Sequence, residues 1–380
     1  LSRADHVAKH LGKKAISKVI FSRAEPNKAR TEITSTDNAQ PALGAISVGM
    51  YRLATHLGLK PHTLIGHSFG ELSALWAGNT MTEVDFYKMA FLRGQAMNQR
   101  SEEILDSGAM LATNLQANEL NQWIHESAKI SVANDNADDQ LILSGGTTDI
   151  NRLAEALQEA GRPAVKLKVS AAFHSPFVAH AKDLFAKGLK DIDISSPTKT
   201  VISGNTVSPY PKEKSQIKSL LAEQILDPVY FRKTVLKLYE SGHRIFVEVG
   251  PGKVLTTLVS KVLKNKPHLA VALSANHSIN DDIDFRKAIL ELKVAGLSLE
   301  LDPYQRPMKS PKKPDKISFE LDGNQYISPE KKAEIKKALR DSPDYSDHFI
   351  PEEDFHKPDK EQKKMNPENT EQTVNDKEPI

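Results

Sequence analysis

Apolar positions recur at helical spacing along Leu43, Ile46, Met50, Leu53 and Leu57, which predicts a helix with those residues on its buried face. Gln40-Pro41 opens it, since proline suits the first helical position, and Gly58 is a fitting stop. The chain before it, residues 1 to about 39, is mixed and polar, broken by one short apolar run at Val19-Ile20-Phe21. After it the short run Thr63-Leu64-Ile65 reads as strand, 71–77 as helix and 84–99 as a second helix. Strand-like runs follow at 130–132, 141–143 and 165–169, with a helical pattern near 150–160 between the last two, and together they predict a small α+β lobe over roughly 108–172. Runs at 200–202 and 245–249 are further strands with helices between and after them, so strands alternating with helices predict an α/β core.

The pattern changes near residue 300. Residues 307–314 are rich in lysine and proline, 317–321 alternate as a strand would, and Ser328-Pro329 can cap and start a helix to about Leu339. Beyond Ser342 the chain is dominated by Asp, Glu, Lys, Pro and Asn, a composition that cannot bury a core, and 343–380 is expected to be a disordered C-terminal tail acting as a linker.

Composition narrows the function classes. Net charge is +2 over 380 residues, which gives no signal for a nucleic-acid or membrane partner. The absence of cysteine excludes disulfides, thiolate metal sites and a thiol nucleophile, and fits a reducing, cytoplasmic compartment. No stretch reaches the roughly 18 apolar residues of a membrane span. The start, Leu1-Ser2-Arg3, lacks an initiator methionine and an apolar signal region, as expected of a cut within a longer protein. No phosphate loop, paired glycosidic carboxylates or metal cluster stands out.

One pattern carries chemistry. Gly66-His67-Ser68-Phe69-Gly70, set between a short apolar run and a helix, is a nucleophile-elbow signature. A sharp strand-to-helix turn crowds the backbone, so Gly66 and Gly70 are expected to avoid side-chain clashes while Ser68 is held outward. The Phe69 N–H, at a helix start, can then face an oxyanion. An ordinary Gly/Ser turn has the same five residues, so the reading rests on the strand and helix around them. The serine needs a base. His174, directly after a strand-like run, is a candidate that a loop could present to a cleft, and a solvated histidine is its bland alternative. His67 competes with it, although a side chain adjacent to Ser68 would point away from the hydroxyl. Long folded-looking sequence follows His174, unlike the late histidine of α/β-hydrolases.

Five ordered segments resemble the malonyl/acyl transferase family. They are Gly66-His67-Ser68-Phe69-Gly70-Glu71, Phe91-Leu92-Arg93-Gly94-Gln95-Ala96-Met97, Gly108-Ala109-Met110, Phe173-His174-Ser175-Pro176 and Val247-Glu248-Val249-Gly250-Pro251-Gly252-Lys253-Val254-Leu255, within a resemblance over roughly 15–300. Residues 66–76, 93–97 and 321–329 resemble in particular the acyltransferases of polyunsaturated fatty-acid synthases and of enediyne-type iterative polyketide synthases.

The resemblance implies an α/β fold: a large hydrolase-like lobe, residues 1–107 and 173–300, with an inserted ferredoxin-like small α+β lobe at 108–172, an extension at 301–342 and the tail at 343–380. It implies transfer of a malonyl-type unit from coenzyme A through Ser68 to an acyl carrier protein, with His174 as acid and base, oriented by the backbone carbonyl of Gln224 rather than by a carboxylate. Arg93 would bind the free carboxylate of the acyl group, and Gln40, His67 and Phe173 would line the substrate pocket, although Gln40 could equally be only a helix-start residue. The Phe173 ring resembles malonyl-preferring variants, while Ala171 departs from their usual histidine or glycine. The resemblance further implies no permanently bound cofactor, acyl-coenzyme A as substrate, the phosphopantetheine of the carrier as acceptor, carrier-protein domains downstream in the same polypeptide and a neighbouring ketosynthase. The family also opens with a strand and a Gly-Gln-rich loop that donates a second oxyanion N–H. Nothing similar precedes Ser68, so an impaired fragment that only docks a carrier is one alternative, and a serine hydrolase or thioesterase is another.

Overall fold

The computed structural model describes residues 1–99, 106–275, 281–300 and 328–340. The chain divides into two units, 1–306 and 307–380.

The polar front of the first unit is helical, a feature its sequence pattern hides. Helices α1 (Ser2–His10), α2 (Ile16–Ile20) and α3 (Pro26–Thr34) precede α4 (Thr36–His56), which starts four residues ahead of the expected Gln40 and carries Pro41 in its second turn. The extended backbone of Ser35 separates α3 from α4, and its carbonyl accepts the first bonds of the new helix from Asn38 and Ala39.

The buried surface of α4 keeps Met50, Leu53 and Leu57 as expected but adds small residues and leaves out Leu43. Leu43 is 42% exposed, while Ala42, Gly44, Ala45 and Val48 are buried. Small residues let α4 lie close against α6 (Glu83–Asn98), which follows β1 (Thr63–Ile65) and α5 (Gly70–Ala77). A methyl group on Gly44 would stand 2.8 Å from the Phe86 ring, and one on Gly94 would stand 2.6 Å from the Thr36 carbonyl oxygen. Met50, Leu53 and Leu57 pack elsewhere, with Leu273 and Leu292.

The small sheet is formed by β2 (Ala109–Thr113), β3 (Ile130–Ala137), β4 (Gln140–Gly145) and β5 (Ala164–Lys166), in the order β3-β4-β2-β5 and antiparallel throughout. With α7 (Thr147–Glu159) before β5 and a short 3-10 turn (Leu120–Gln122) in place of a first helix, this is a ferredoxin-like connection. Leu111, Leu143, Ile150, Leu153 and Leu157 form its core. The edge strand β5 is shorter than the expected 165–169, and Val165 on it is 61% exposed.

The rest of the unit is a layered α/β assembly. Helix α8 (Ala179–Leu189) leads to β6 (Thr200–Ser203), which pairs parallel with β1 and antiparallel with β7 (Ser208–Pro209). Then come α9 (Lys214–Glu223), α10 (Phe231–Glu240), β8 (Ile245–Glu248), α11 (Val254–Val262), β9 (Leu269–Ala272) and α12 (Asp281–Val294), with β8 and β9 paired in parallel. In the second unit α13 (Pro329–Arg340) is capped as expected, the Ser328 hydroxyl accepting from the Lys331 N–H at 3.2 Å. The expected strand at 317–321 and the expected disordered linker at 343–380 lie outside the described residues. No helix among the described residues is long and apolar enough to cross a membrane.

Because the atom opposing Gly94 is backbone, Gly94→Ala is expected to force α4 and α6 apart at a cost of about 1–3 kcal/mol. A lowered urea midpoint with an unchanged slope would show this. An unshifted midpoint would mean that the two helices separate freely.

Candidate active site

Strand β1 stops at Ile65 and α5 begins at Gly70, leaving four residues to reverse the chain. Ser68 takes up the strain, with φ +52 in the left-handed region that non-glycine residues seldom adopt. A side chain at Gly66 is impossible, since its first carbon would fall 2.1 Å from the Gly70 carbonyl carbon. Gly70 was expected to be equally crowded and is not: a methyl group there meets nothing within 4 Å. Phe69 is the N-cap residue of α5, so its N–H is among those that a helix start leaves without an intrahelical partner.

His174 follows the small sheet in a loop that leads into a 3-10 turn (Pro176–Val178), and it too has a positive φ, +57. Its Nε2 lies 2.9 Å from Ser68 Oγ. Its Nδ1 lies 3.0 Å from the carbonyl oxygen of Gln224 and also 3.0 Å from that of Asp227. Carbonyl oxygens only accept, so Nδ1 carries the proton and Nε2 is left to accept from the serine hydroxyl. The carbonyl expected at Gln224 is therefore one of a pair. Burial, helped by the positive charge of Arg93 and by His67, pushes the His174 imidazole down to about 3. The ring is neutral at ordinary pH, the state a general base requires.

Arg93, from α6, is 1% exposed. Its Nη1 donates to Gln40 Oε1 at 3.1 Å, and its Nη2 donates to Gln224 Oε1 at 3.2 Å and reaches Ser68 Oγ at 3.4 Å. Burial lowers its pKa to about 10 while Glu71 and Tyr210 oppose the shift, so the guanidinium stays charged. Gln40 thus holds Arg93 and is not a helix-start residue. Gln224 also donates from Nε2 to the Ser68 carbonyl oxygen at 2.7 Å.

His67 is turned away from the hydroxyl. Its Nε2 bonds Asn136 Oδ1 at 2.8 Å and its ring lies 5.6 Å from that of Phe231, so it does not compete with His174 for Ser68. Phe173 is half-buried between two apolar clusters, and its carbonyl oxygen accepts from the Ser144 hydroxyl at 2.6 Å. Ser68, His174, Arg93, Gln224 and Gln40 are therefore joined by hydrogen bonds, while the His67 and Phe173 side chains make none to that set.

Several contributors escaped sequence reasoning. Glu71 is fully buried on α5, its Oε1 accepting from the Gly204 N–H at 2.9 Å and its Oε2 from the Tyr210 hydroxyl at 2.5 Å. A lone acid between the elbow and the mostly apolar run Leu72-Ser73-Ala74-Leu75-Trp76 was a usable signal for it. Tyr210, between two prolines, and Asn136, near the end of β3, gave none.

A neutral imidazole on a strained serine, beside a buried cation, is equipment for passing an acyl group through a serine ester. A family model described as acyl transferase domain matches residues 1–298, and the chain belongs to that family. The match begins ahead of the expected residue 15. Among relatives, a polyunsaturated fatty acid synthase subunit of Thraustochytrium sp. is 28% identical over 86% of this chain, which spans 12% of that protein. The malonyl CoA-acyl carrier protein transacylase of Bacillus subtilis is 34% identical over 63% of this chain and 77% of its own length. Among solved structures, the acyltransferase domain from the second module of the salinomycin polyketide synthase superposes with a TM-score of 0.71 at 26% identity, covering 84% of this chain and 72% of that one.

The buried neutral imidazole has a consequence for stability. His174 titrates at about 3 when folded against an ordinary value of 6.5, so only the unfolded chain binds its proton between those values. Its contribution is complete above pH 6.5 and is lost as the pH falls toward 3. Acidification to about pH 5 is expected to remove on the order of 2 kcal/mol through this group. The urea midpoint should fall less steeply with acidification in His174→Gln, and equal slopes would contradict the assignment.

Proposed function

We propose that this chain transfers a malonyl-type unit from coenzyme A to the phosphopantetheine thiol of an acyl carrier protein through an ester on Ser68. The observation that carries this reading is a charged guanidinium buried to 1% exposure and 3.4 Å from the nucleophile. Such a cation favours an acyl group with its own carboxylate, whose two oxygens match the paired donors of an arginine fork.

In the first step the Ser68 proton passes to His174 Nε2 as Oγ bonds the thioester carbonyl carbon. The Phe69 N–H supports the resulting oxyanion. The carbon–sulfur bond then breaks and the departing thiolate takes the proton back from the imidazolium. In the second step the carrier thiol gives its proton to His174, its sulfur attacks the serine ester, and Oγ leaves with that proton. The Gln224 and Asp227 carbonyls keep Nδ1 protonated throughout, so one nitrogen serves as base and acid in turn. The half-buried Phe173 ring supports malonyl over methylmalonyl, a preference of roughly 1–3 kcal/mol for one methyl group.

The likeness to a much longer synthase protein, of which this chain would span 12%, supports a place within a lipid or polyketide megasynthase. Carrier domains would follow in the same polypeptide and a ketosynthase would stand nearby. The large lobe would comprise 1–107 and 173–300, the small lobe 108–172, and 301–342 an extension before a linker at 343–380.

Intact-protein mass spectrometry after mixing with malonyl-, methylmalonyl- or acetyl-coenzyme A tests the proposal. A malonyl adduct is expected on the wild-type chain and none on Ser68→Ala. Arg93→Ala is expected to lower malonyl relative to acetyl loading by roughly 10- to 100-fold, the worth of hydrogen bonds to a charged group. Labelling that survives Ser68→Ala would sink the mechanism, and rapid loss of the adduct to water without a carrier would point to a hydrolase.

A further inference from the structure

Gln224 does more than offer a carbonyl to His174. It stands at the C-cap of α9 and is 1% exposed. Its main-chain oxygen holds His174 Nδ1 at 3.0 Å, its Oε1 holds Arg93 Nη2 at 3.2 Å, and its Nε2 holds the Ser68 carbonyl at 2.7 Å. Base, cation and nucleophile backbone thus all attach to one residue, two of them through its side chain.

The two side-chain bonds act on groups that need restraint. Ser68 sits at φ +52, a conformation that persists only where its surroundings impose it. Its carbonyl accepts from the Glu71 N–H at 3.0 Å as the first turn of α5 forms, and the Gln224 amide is a second donor to the same oxygen. Arg93 Nη2 divides its reach between Gln224 Oε1 and Ser68 Oγ. A planar amide presents an acceptor to the guanidinium and a donor to the carbonyl from the same end of one side chain, and it adds no charge at any pH.

We propose that the Gln224 side-chain amide is a positioning residue that couples the orientation of Arg93 to the backbone of Ser68. Acyl-group selection and nucleophile geometry then depend on the same two hydrogen bonds. A carboxylate-bearing substrate, which would engage Arg93, relies on both bonds, whereas acetyl relies only on the one that holds the Ser68 backbone. The inference rests on the acyl-transfer reading above.

The test compares Ser68 acylation rates with malonyl- and acetyl-coenzyme A in the wild type, Gln224→Met and Gln224→Glu. All three keep the main-chain carbonyl for His174. Methionine fills the same volume without either bond, and malonyl loading is expected to fall about tenfold more than acetyl loading, as for one lost charge-assisted bond. Glutamic acid would face Arg93 from α6, Glu71 from α5, His174 from its loop and, across Glu71, Tyr210. While protonated it offers a donor and an acceptor as the amide does. Ionised, it loses the donor and competes with the substrate carboxylate. Malonyl loading by Gln224→Glu is therefore expected to decline with rising pH while the wild type does not. A residue that only filled space would depress both thioesters equally and impose no such decline, and that result would overturn the proposal. If methionine will not fold, the pH profile of the glutamic acid variant decides alone. A wild type without any Ser68 adduct overturns the acyl-transfer reading and this inference with it. A labelled wild type with an unchanged malonyl-to-acetyl ratio in the variants overturns the inference alone.

Discussion

Arg93 is a guanidinium at 1% exposure in the middle of a protein, and removing a cation from water costs several kcal/mol unless its surroundings replace the lost hydration. Much of the site follows from how that is done. Two neutral amide oxygens, from Gln40 on α4 and Gln224 after α9, accept its hydrogens. A carboxylate in direct contact would satisfy it better and would also occupy the place that the proposed substrate carboxylate would take. The acid that does support the charge, Glu71, has its oxygens engaged by the Gly204 N–H and the Tyr210 hydroxyl. It contributes its field without closing the fork.

The second constraint is backbone strain, stored at both members of the serine–histidine pair. Ser68 and His174 each hold a positive φ, and neither conformation is stable alone. The elbow is pinned from below by Glu71, which ties α5 to the β6–β7 hairpin, and from the side by the Gln224 amide. His174 comes from the end of the small sheet, so its distance to Ser68 depends on how the two lobes meet. The β3–β4 hairpin secures that junction. Asp135 and Ala133 exchange main-chain bonds with Val229, and Arg232 grips the Asp135 carboxylate with Nε and Nη2 at 2.9 and 3.2 Å. Asn136 on the same hairpin takes the His67 side chain, linking it directly to the elbow. The residue considered as a rival base thus helps to hold the nucleophile's turn against the small lobe.

What the sequence revealed and what it concealed divide along physical lines. The elbow was legible because its requirement is local: a side chain at Gly66 cannot exist, and the strand and helix adjoin it. The strands at 141–143 and 200–202 were legible because apolar runs there end at turn residues. Helix α4 was legible as a helix, and Met50, Leu53 and Leu57 do pack inward, but its contact with α6 was not legible, because it buries alanine and glycine there and exposes Leu43. Arg93 and Gln224 were found only through family resemblance. Their partnership spans 131 positions, and each alone reads as an ordinary helix-surface residue. The Asp227 carbonyl had no signal at all, since any residue supplies a carbonyl and only the fold aims it.

The same division explains why a triad without a carboxylate suffices here. An acid beside His174 would stabilise its protonated form and raise its pKa, but it would also set a negative charge near the cation proposed to receive a substrate carboxylate. Two carbonyl dipoles fix the tautomer without adding a charge. Burial above all, with Arg93 beside the ring, keeps the imidazole neutral over a wide pH range, against the two carbonyls, which by themselves favour its protonated form. When it does take the serine or thiol proton, it becomes an imidazolium close to a guanidinium. That state is costly in the empty site and becomes less costly once a substrate carboxylate neutralises the arginine. On the proposed reading, acyl groups with a free carboxylate would therefore assist the base as well as binding the fork, which would tie selection of the substrate to the proton transfer itself.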